Sequence, residues 1–98
     1  MNYEIQLTKQ VLKFLNKLEK STPSEHSKIV IFLNEKLSTN QNPCMLSNAK
    51  YLQGFDDNRY RWRLGNYRII GIVNNGEFKI IEIIKISKQD ESTYKNLK

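Results

Sequence analysis

Cysteine, histidine and long apolar runs are scarce in this 98-residue sequence, and each scarcity excludes a class of structure or site. The single cysteine, Cys44, cannot form a disulfide within the chain, which is typical of a protein from a reducing compartment. With His26 as the only histidine, a zinc site is not expected either. No stretch approaches the roughly 18 apolar residues of a membrane span, and the N-terminus lacks the charged segment and apolar run of a secretory signal. We therefore expect a soluble, cytoplasmic protein without a metal.

Negative charge is also in short supply. Sixteen lysines and arginines face ten acidic residues, which gives a formal net charge of +6. For a small domain, this balance favours nucleic acid, an acidic protein or a membrane surface as the partner, and charge alone does not choose among them. The length indicates one domain that spans residues 1–98.

The first 43 residues predict a strand followed by two helices. Residues 3–7 alternate apolar and polar, as in a short strand, and Thr8 can cap the helix that follows. A second helix start has Thr22 as N-cap, Pro23 as the first helical residue and Glu25 completing a capping box. The first helix has an apolar stripe of Val11, Phe14, Leu15 and Leu18. The second is expected to bury Ile29, Val30, Leu33 and Leu37 and to end before Ser38.

The second half of the chain predicts strands and turns. Residues 44–58 are irregular and lead into a strand edge near Tyr51 and Leu52, with a turn at residues 56–58. Strands are expected at 59–64, 67–74 and 78–86, joined by two-residue turns at Gly65-Asn66 and Asn75-Gly76. Residues 90–97 predict a short final helix. The predicted fold class is α+β, with two N-terminal helices packed on one face of a mainly antiparallel four-stranded sheet, in the order β-α-α-β-β-β.

All four arginines lie within ten residues, from Arg59 to Arg68. A two-residue turn would pair Arg63 with Arg68, and like charges placed directly opposite are destabilising. One strand face would cover the helices with Tyr60, Trp62, Leu64, Tyr67, Ile69 and Val73. The other face would carry the arginines, which either bind an anion or form the solvated side of the sheet. Arginine in place of lysine, the arginine pair and the lack of an acidic partner within the stretch favour the anion.

The string from Tyr60 to Ile70, YRWRLGNYRII, and the closing segment from Lys88 to Tyr94, KQDESTY, resemble the RelE/ParE superfamily of type II toxin–antitoxin toxins. The element order resembles it too, and the RelE branch is the closer one. The resemblance implies a metal-independent mRNA endoribonuclease that acts with the ribosome, needs no cofactor and is neutralised by a cognate antitoxin. In this chemistry the 2′-hydroxyl attacks the neighbouring phosphodiester.

The resemblance also implies roles for individual residues. Arg68 matches the phosphate-binding arginine of the family, and Arg61 and Arg63 match basic strand residues that hold the scissile region. Tyr94 matches a tyrosine that contacts the substrate base, and Lys88 matches a basic residue at the start of the closing segment. RNA contacts are further expected from Arg59, Lys50, Lys85 and Gln89.

Gln89 departs from the family pattern, because an arginine is common there and would help to neutralise the transition state. A shift of one residue would let Lys88 take that place. If it does not, cleavage is weak or the protein only binds its antitoxin. A gyrase-inhibiting toxin of the ParE branch is the other alternative.

Overall fold

The computed structural model describes residues 3–88. Gln89, Tyr94 and the helix predicted at residues 90–97 lie outside this range. None of the helices within residues 3–88 combines the length and apolar character that a membrane crossing requires. The elements are β1 (Glu4–Leu7), α1 (Lys9–Ser21), α2 (Pro23–Ile31) with a π-helical continuation (Phe32–Leu37), β2 (Ala49–Tyr51), β3 (Arg59–Leu64), β4 (Tyr67–Asn75) and β5 (Lys79–Lys88).

The strands form one sheet in the order β1-β5-β4-β3-β2. All neighbours pair antiparallel except β1 and β5, which run parallel. The predicted α+β class and the mainly antiparallel sheet are confirmed, but the expectation of four strands is wrong. Ala49–Tyr51 adds a fifth strand at the edge, with Lys50 opposite Arg61. This short strand is the strand edge that the sequence indicated near Tyr51 and Leu52, and it hydrogen-bonds to the edge of β3.

The two helices are joined at Thr22, which ends α1 and begins α2. Its N–H donates to the Leu18 carbonyl at 2.7 Å, and its own carbonyl accepts from the N–H groups of Glu25 and His26. The predicted capping box is wrong, because the Thr22 side chain makes no capping hydrogen bond. The backbone of Thr22 forms hydrogen bonds with both helices, and in this conformation its hydroxyl is not positioned to cap α2. The cap predicted at Thr8 is confirmed, since its Oγ1 accepts from the N–H of Val11 at 3.3 Å.

Trp62 is the centre of the core between the helices and the sheet. Its side chain is fully buried, and its Nε1–H donates to the carbonyl of Pro43 at 3.0 Å. A buried indole needs such a partner, and this one also ties down the chain that leads to β2. The predicted inward face is largely confirmed, because Trp62, Tyr67, Ile69 and Val73 are buried while Tyr60 and Leu64 are partly buried. On the helices, Ile29, Leu33 and Leu37 are buried as expected, and Val30 is only half-buried.

The connection between β4 and β5 differs from the predicted two-residue turn. Asn75 pairs with Lys79, so three residues form the loop. The side chain of Asn74 accepts from the N–H of Gly76 at 3.0 Å and turns the backbone before Phe78, which is exposed. Further along, Ile70 pairs with Lys85 but Gly71 pairs with Ile83. This β-bulge shifts the register of β5 by one residue and puts Lys85 on the face away from the helices.

Candidate nucleic-acid interface

The arginine hairpin has the register that the sequence predicts. Arg63 pairs with Arg68, Trp62 with Ile69 and Arg61 with Ile70. Gly65 opens the turn with a φ of 58°, a left-handed conformation that favours glycine at this position of a two-residue hairpin turn. Because side chains alternate along a strand, the buried Trp62 directs Arg61 and Arg63 to the opposite side of the sheet.

Two adjacent rows across the sheet concentrate positive charge on that side. The first row runs over four strands and contains Lys50, Arg61, Ile70 and Lys85. The second contains Arg63, Arg68 and Ser87. Neighbouring strands lie about 4.8 Å apart and alternate residues about 7 Å apart, so the backbone positions of five cations occupy roughly 14 by 7 Å. We call Lys50, Arg61, Arg63, Arg68 and Lys85 the cationic face.

Arg68 occupies a partly buried position on the cationic face. It lies between Arg63 on β3 and Ser87 on β5 and is half-buried. Its Nε is buried and finds no hydrogen-bond partner within residues 3–88. A buried donor without a partner costs free energy. A half-buried arginine has fewer orientations open to its guanidinium than an exposed one, which suits a ligand with a fixed pair of oxygens.

Arg59 contacts two residues of the loop that precedes β3. Its Nη2 lies 2.7 Å from Oδ2 of Asp57, and its guanidinium lies 3.9 Å from the ring centroid of Phe55. The hydrogen bond from Arg59 holds the pKa of the Asp57 carboxyl below its usual value. Asp57 comes just before the arginine stretch, in residues that the sequence indicates only as a turn. An acidic residue two positions ahead of the strand was the available signal for this ion pair.

Negative charge collects at the opposite edge of the same sheet face. Glu82 on β5 pairs with Ile72 of β4 and with Gln6 of β1, and the Gln6 amide donates to Glu4 at 2.8 Å. The outward face is therefore polarised, with the cationic face on β2 to β5 and carboxylates on β1 and the first half of β5. Such a distribution orients an anionic ligand toward one part of the sheet.

Lys88 stands apart from the cationic face. Lys88 pairs with Tyr67, whose side chain is buried toward the helices. Paired residues share a face of the sheet, so Lys88 is on the helix side and not on the outward side. Ser87 takes the position next to Arg68 on the outward side. Gln89 and Tyr94 lie outside the described residues, and their roles stay predictions.

His26 and Cys44 lie away from the cationic face. His26 is in the first turn of α2, which packs on the other side of the sheet through Ile29. Cys44 neighbours Tyr3 and Tyr60, and burial raises the pKa of its thiol. Residues 3–88 contain no group of three or more histidine, cysteine, aspartate or glutamate side chains positioned to hold a metal ion.

Two helices on one face of a five-stranded sheet, with arginines on the other face, define the class of fold as that of the RelE-like toxins. The chain is similar to a solved structure of the toxin–antitoxin complex RelBE2 from Mycobacterium tuberculosis, with a TM-score of 0.73 and 22% identity over 91% of this chain and 100% of that chain. It is also similar to an arginine double mutant of the Escherichia coli toxin RelE in the free state, with a TM-score of 0.64 and 23% identity over 96% of this chain and 90% of that one. No protein-family model and no curated protein matches the sequence.

Proposed function

We propose that this protein is the toxin of a type II toxin–antitoxin pair and that it acts in the cytoplasm as an endoribonuclease that cuts mRNA on the ribosome. The observation that carries the proposal is the cationic face, five positive side chains in two rows on a fold of the RelE-like class. The fold alone does not require these charges, because a solvated sheet face can be built from neutral polar residues at lower electrostatic cost.

The proposed reaction is a transesterification within the RNA strand. The 2′-hydroxyl loses its proton as its oxygen attacks the adjacent phosphorus, the bond to the 5′-oxygen breaks, and that oxygen takes up a proton, so that a 2′,3′-cyclic phosphate and a 5′-hydroxyl result. Arg68 would hold the scissile phosphate with two parallel hydrogen bonds, and Arg61 and Arg63 would stabilise the charge that develops on its oxygens. Lys50 and Lys85, which flank the first row, would hold neighbouring phosphates of the same strand.

The proposed protein partner is an antitoxin. The similar Mycobacterium tuberculosis structure is a toxin–antitoxin complex, and the net charge of +6 suits a partner segment that is acidic. A segment of this kind is typically disordered when free and folds on binding. Co-expression of the adjacent reading frame should then restore the growth of cells that produce this protein.

Induced expression in bacteria tests the proposed activity. The wild-type protein should arrest translation, and mapping of mRNA 5′ ends should show new cuts within coding regions. Arg68→Ala, and the double change of Arg61 and Arg63 to alanine, should relieve the arrest and remove the cuts. Lys17→Ala is the matched control, because Lys17 is an exposed cation on α1, on the opposite side of the sheet.

Two results would overturn the proposal. Growth inhibition that survives the arginine changes, in variants shown to be folded by circular dichroism, would place the activity elsewhere. DNA-damage signalling without cut mRNA would indicate a gyrase-directed toxin instead.

A further inference from the structure

The loop between β2 and β3, residues 52–58, is hydrogen-bonded to the sheet at both of its ends. The N–H of Leu52 donates to the Arg59 carbonyl at 2.9 Å and closes the loop. Asn58 has a φ of 61°, and its side-chain amide donates to the Val73 carbonyl at 2.9 Å while its own carbonyl accepts from the N–H of Val73. The bonds of Asn58 attach the end of the loop to β4, the central strand of the sheet, directly before Arg59.

Phe55 is the aromatic residue of this loop and is 43% exposed. The guanidinium of Arg59 covers one face of the ring, 3.9 Å from its centroid. Arg59 cannot swing away easily, because Asp57 holds its Nη2 at 2.7 Å. The exposed part of the Phe55 ring is therefore on the face that Arg59 does not cover. The charged guanidinium of Arg59 packs against the opposite face.

The position of Phe55 relates it to the cationic face. Arg59, Arg61 and Arg63 alternate along β3 and share the outward side of the sheet, about 7 Å from one to the next. Phe55 stacks on Arg59 and thus adds an aromatic ring at the Arg59 end of this row of arginines. The support has a cost, since Nε of Arg59 and Oδ1 of Asp57 are both buried and lack hydrogen-bond partners within residues 3–88. Despite this cost in free energy, the large apolar ring of Phe55 remains partly exposed to solvent.

We propose that Phe55 is a stacking platform for an RNA base, that of a nucleotide next to the phosphate on the cationic face. Arg59 is a positioning residue that fixes the ring, with Asp57 holding Arg59. A cationic groove that tracks the backbone, combined with aromatic rings on which bases stack, is how proteins bind single-stranded nucleic acid without strong sequence preference. The ligand is accordingly single-stranded RNA, with any of the four bases at the nucleotide that stacks on Phe55. This inference rests on the proposed nuclease function.

A tryptophan reporter tests the stacking directly. Phe55→Trp adds an exposed indole, while the natural Trp62 is fully buried and supplies a constant background. A 2′-O-methyl RNA hexamer, which cannot be cleaved because it has no free 2′-hydroxyl, should quench the new emission. A hexamer with abasic nucleotides should not. Phe78→Trp is the matched control, because Phe78 is also exposed but lies in the loop between β4 and β5, and it should respond to neither RNA.

Affinity measurements separate stacking from a structural role. With a dye-labelled 2′-O-methyl RNA, free and as the message on ribosomes, Phe55→Leu should bind roughly 5- to 150-fold more weakly than wild type, the range expected for one stacked base. Phe55→Tyr should bind nearly as well as wild type. Neither change should alter binding of the abasic RNA. Leucine still covers the Arg59–Asp57 pair, so wild-type affinity in Phe55→Leu, or an equal loss for abasic RNA, would overturn the stacking role.

Arg68→Ala distinguishes failure of this inference from failure of the proposed function. If Arg68→Ala weakens RNA binding and Phe55→Leu does not, only the stacking role is wrong. If wild type binds no RNA in either format, the nuclease function is overturned and the stacking role with it. If Arg68→Ala changes nothing while Phe55→Leu weakens binding, the role of Arg68 in the proposed function is wrong and the stacking role stands.

Discussion

Arg63 and Arg68 stand directly opposite each other across the β3–β4 hairpin, and neither takes part in an ion pair within residues 3–88. Two permanent positive charges in this arrangement repel each other. The same pair belongs to the cationic face. Positive charge at these two positions therefore lowers the stability of the hairpin but favours the proposed binding of phosphate.

Arg63→Thr should therefore make the protein more stable and less active. Removing the repulsion and placing a β-branched residue in a strand should raise the free energy of unfolding by about 0.2–1 kcal/mol, as measured by urea denaturation at low salt. The gain should shrink at high salt, because ions screen the repulsion in the wild type. Lys85→Thr is the control, since Lys85 faces Ile70 and has no like charge opposite. An equal gain in both variants would contradict the role of the arginine pair.

Arg68→Lys should lose activity although it keeps the charge. A lysine cannot offer the planar fork that grips two phosphate oxygens, and loss of a preorganised donor costs about a hundredfold or more in many enzymes. We expect cleavage of programmed ribosomes at least about tenfold slower, with stability unchanged or higher because the buried Nε is gone. Lys85→Arg should leave the rate within a few-fold of wild type. Full activity of Arg68→Lys would show that a point charge suffices.

Asp57→Asn should remove a pH-dependent part of the stability. Arg59 lowers the pKa of Asp57 in the folded protein. A carboxyl with a lowered folded pKa stabilises the protein above its unfolded pKa of about 3.9, and this contribution is lost as the pH falls through the folded value. The urea midpoint of Asp57→Asn should lie below that of wild type at pH 7, and the difference should close below about pH 4. Asp56→Asn, at an exposed neighbour outside any ion pair of residues 3–88, is the control for loss of one carboxylate and should leave the urea midpoint at pH 7 near that of wild type.

Gly71→Ala should destabilise the core beneath the site. A Cβ at this position would lie 3.1 Å from the Trp62 ring and from Cγ2 of Ile81, and 3.2 Å from Cδ1 of Ile83. Overpacking of this kind costs about 1–3 kcal/mol, which urea denaturation can measure. Gly76→Ala is the control, since its new methyl group would meet only the side-chain oxygen of Asn74 at 3.3 Å. A wild-type midpoint for Gly71→Ala would mean that the Trp62 ring can shift freely.

The hairpin was predictable from sequence because its signals are local. Alternation around Trp62 assigns the two faces, and Gly65 sets the turn that brings Arg63 opposite Arg68. The helices were predictable for the same reason, from their apolar spacing and from Thr8 and Pro23 at their starts. The capping box at Thr22 failed because a second helix ends on the same residue, which no pattern in either helix alone reveals.

The sequence by itself determined that this is a basic α+β domain whose arginines share one face of a hairpin. The tertiary structure decided which other charges join them. Lys50 reaches the cationic face because a three-residue strand pairs with β3, and Lys85 does so after a bulge in β5. Arg59 lies on the same side of β3, where its guanidinium pairs with Asp57 and covers the Phe55 ring. Strand pairing and loop packing depend on contacts between residues that are far apart in the sequence. Local periodicity does not reveal such contacts.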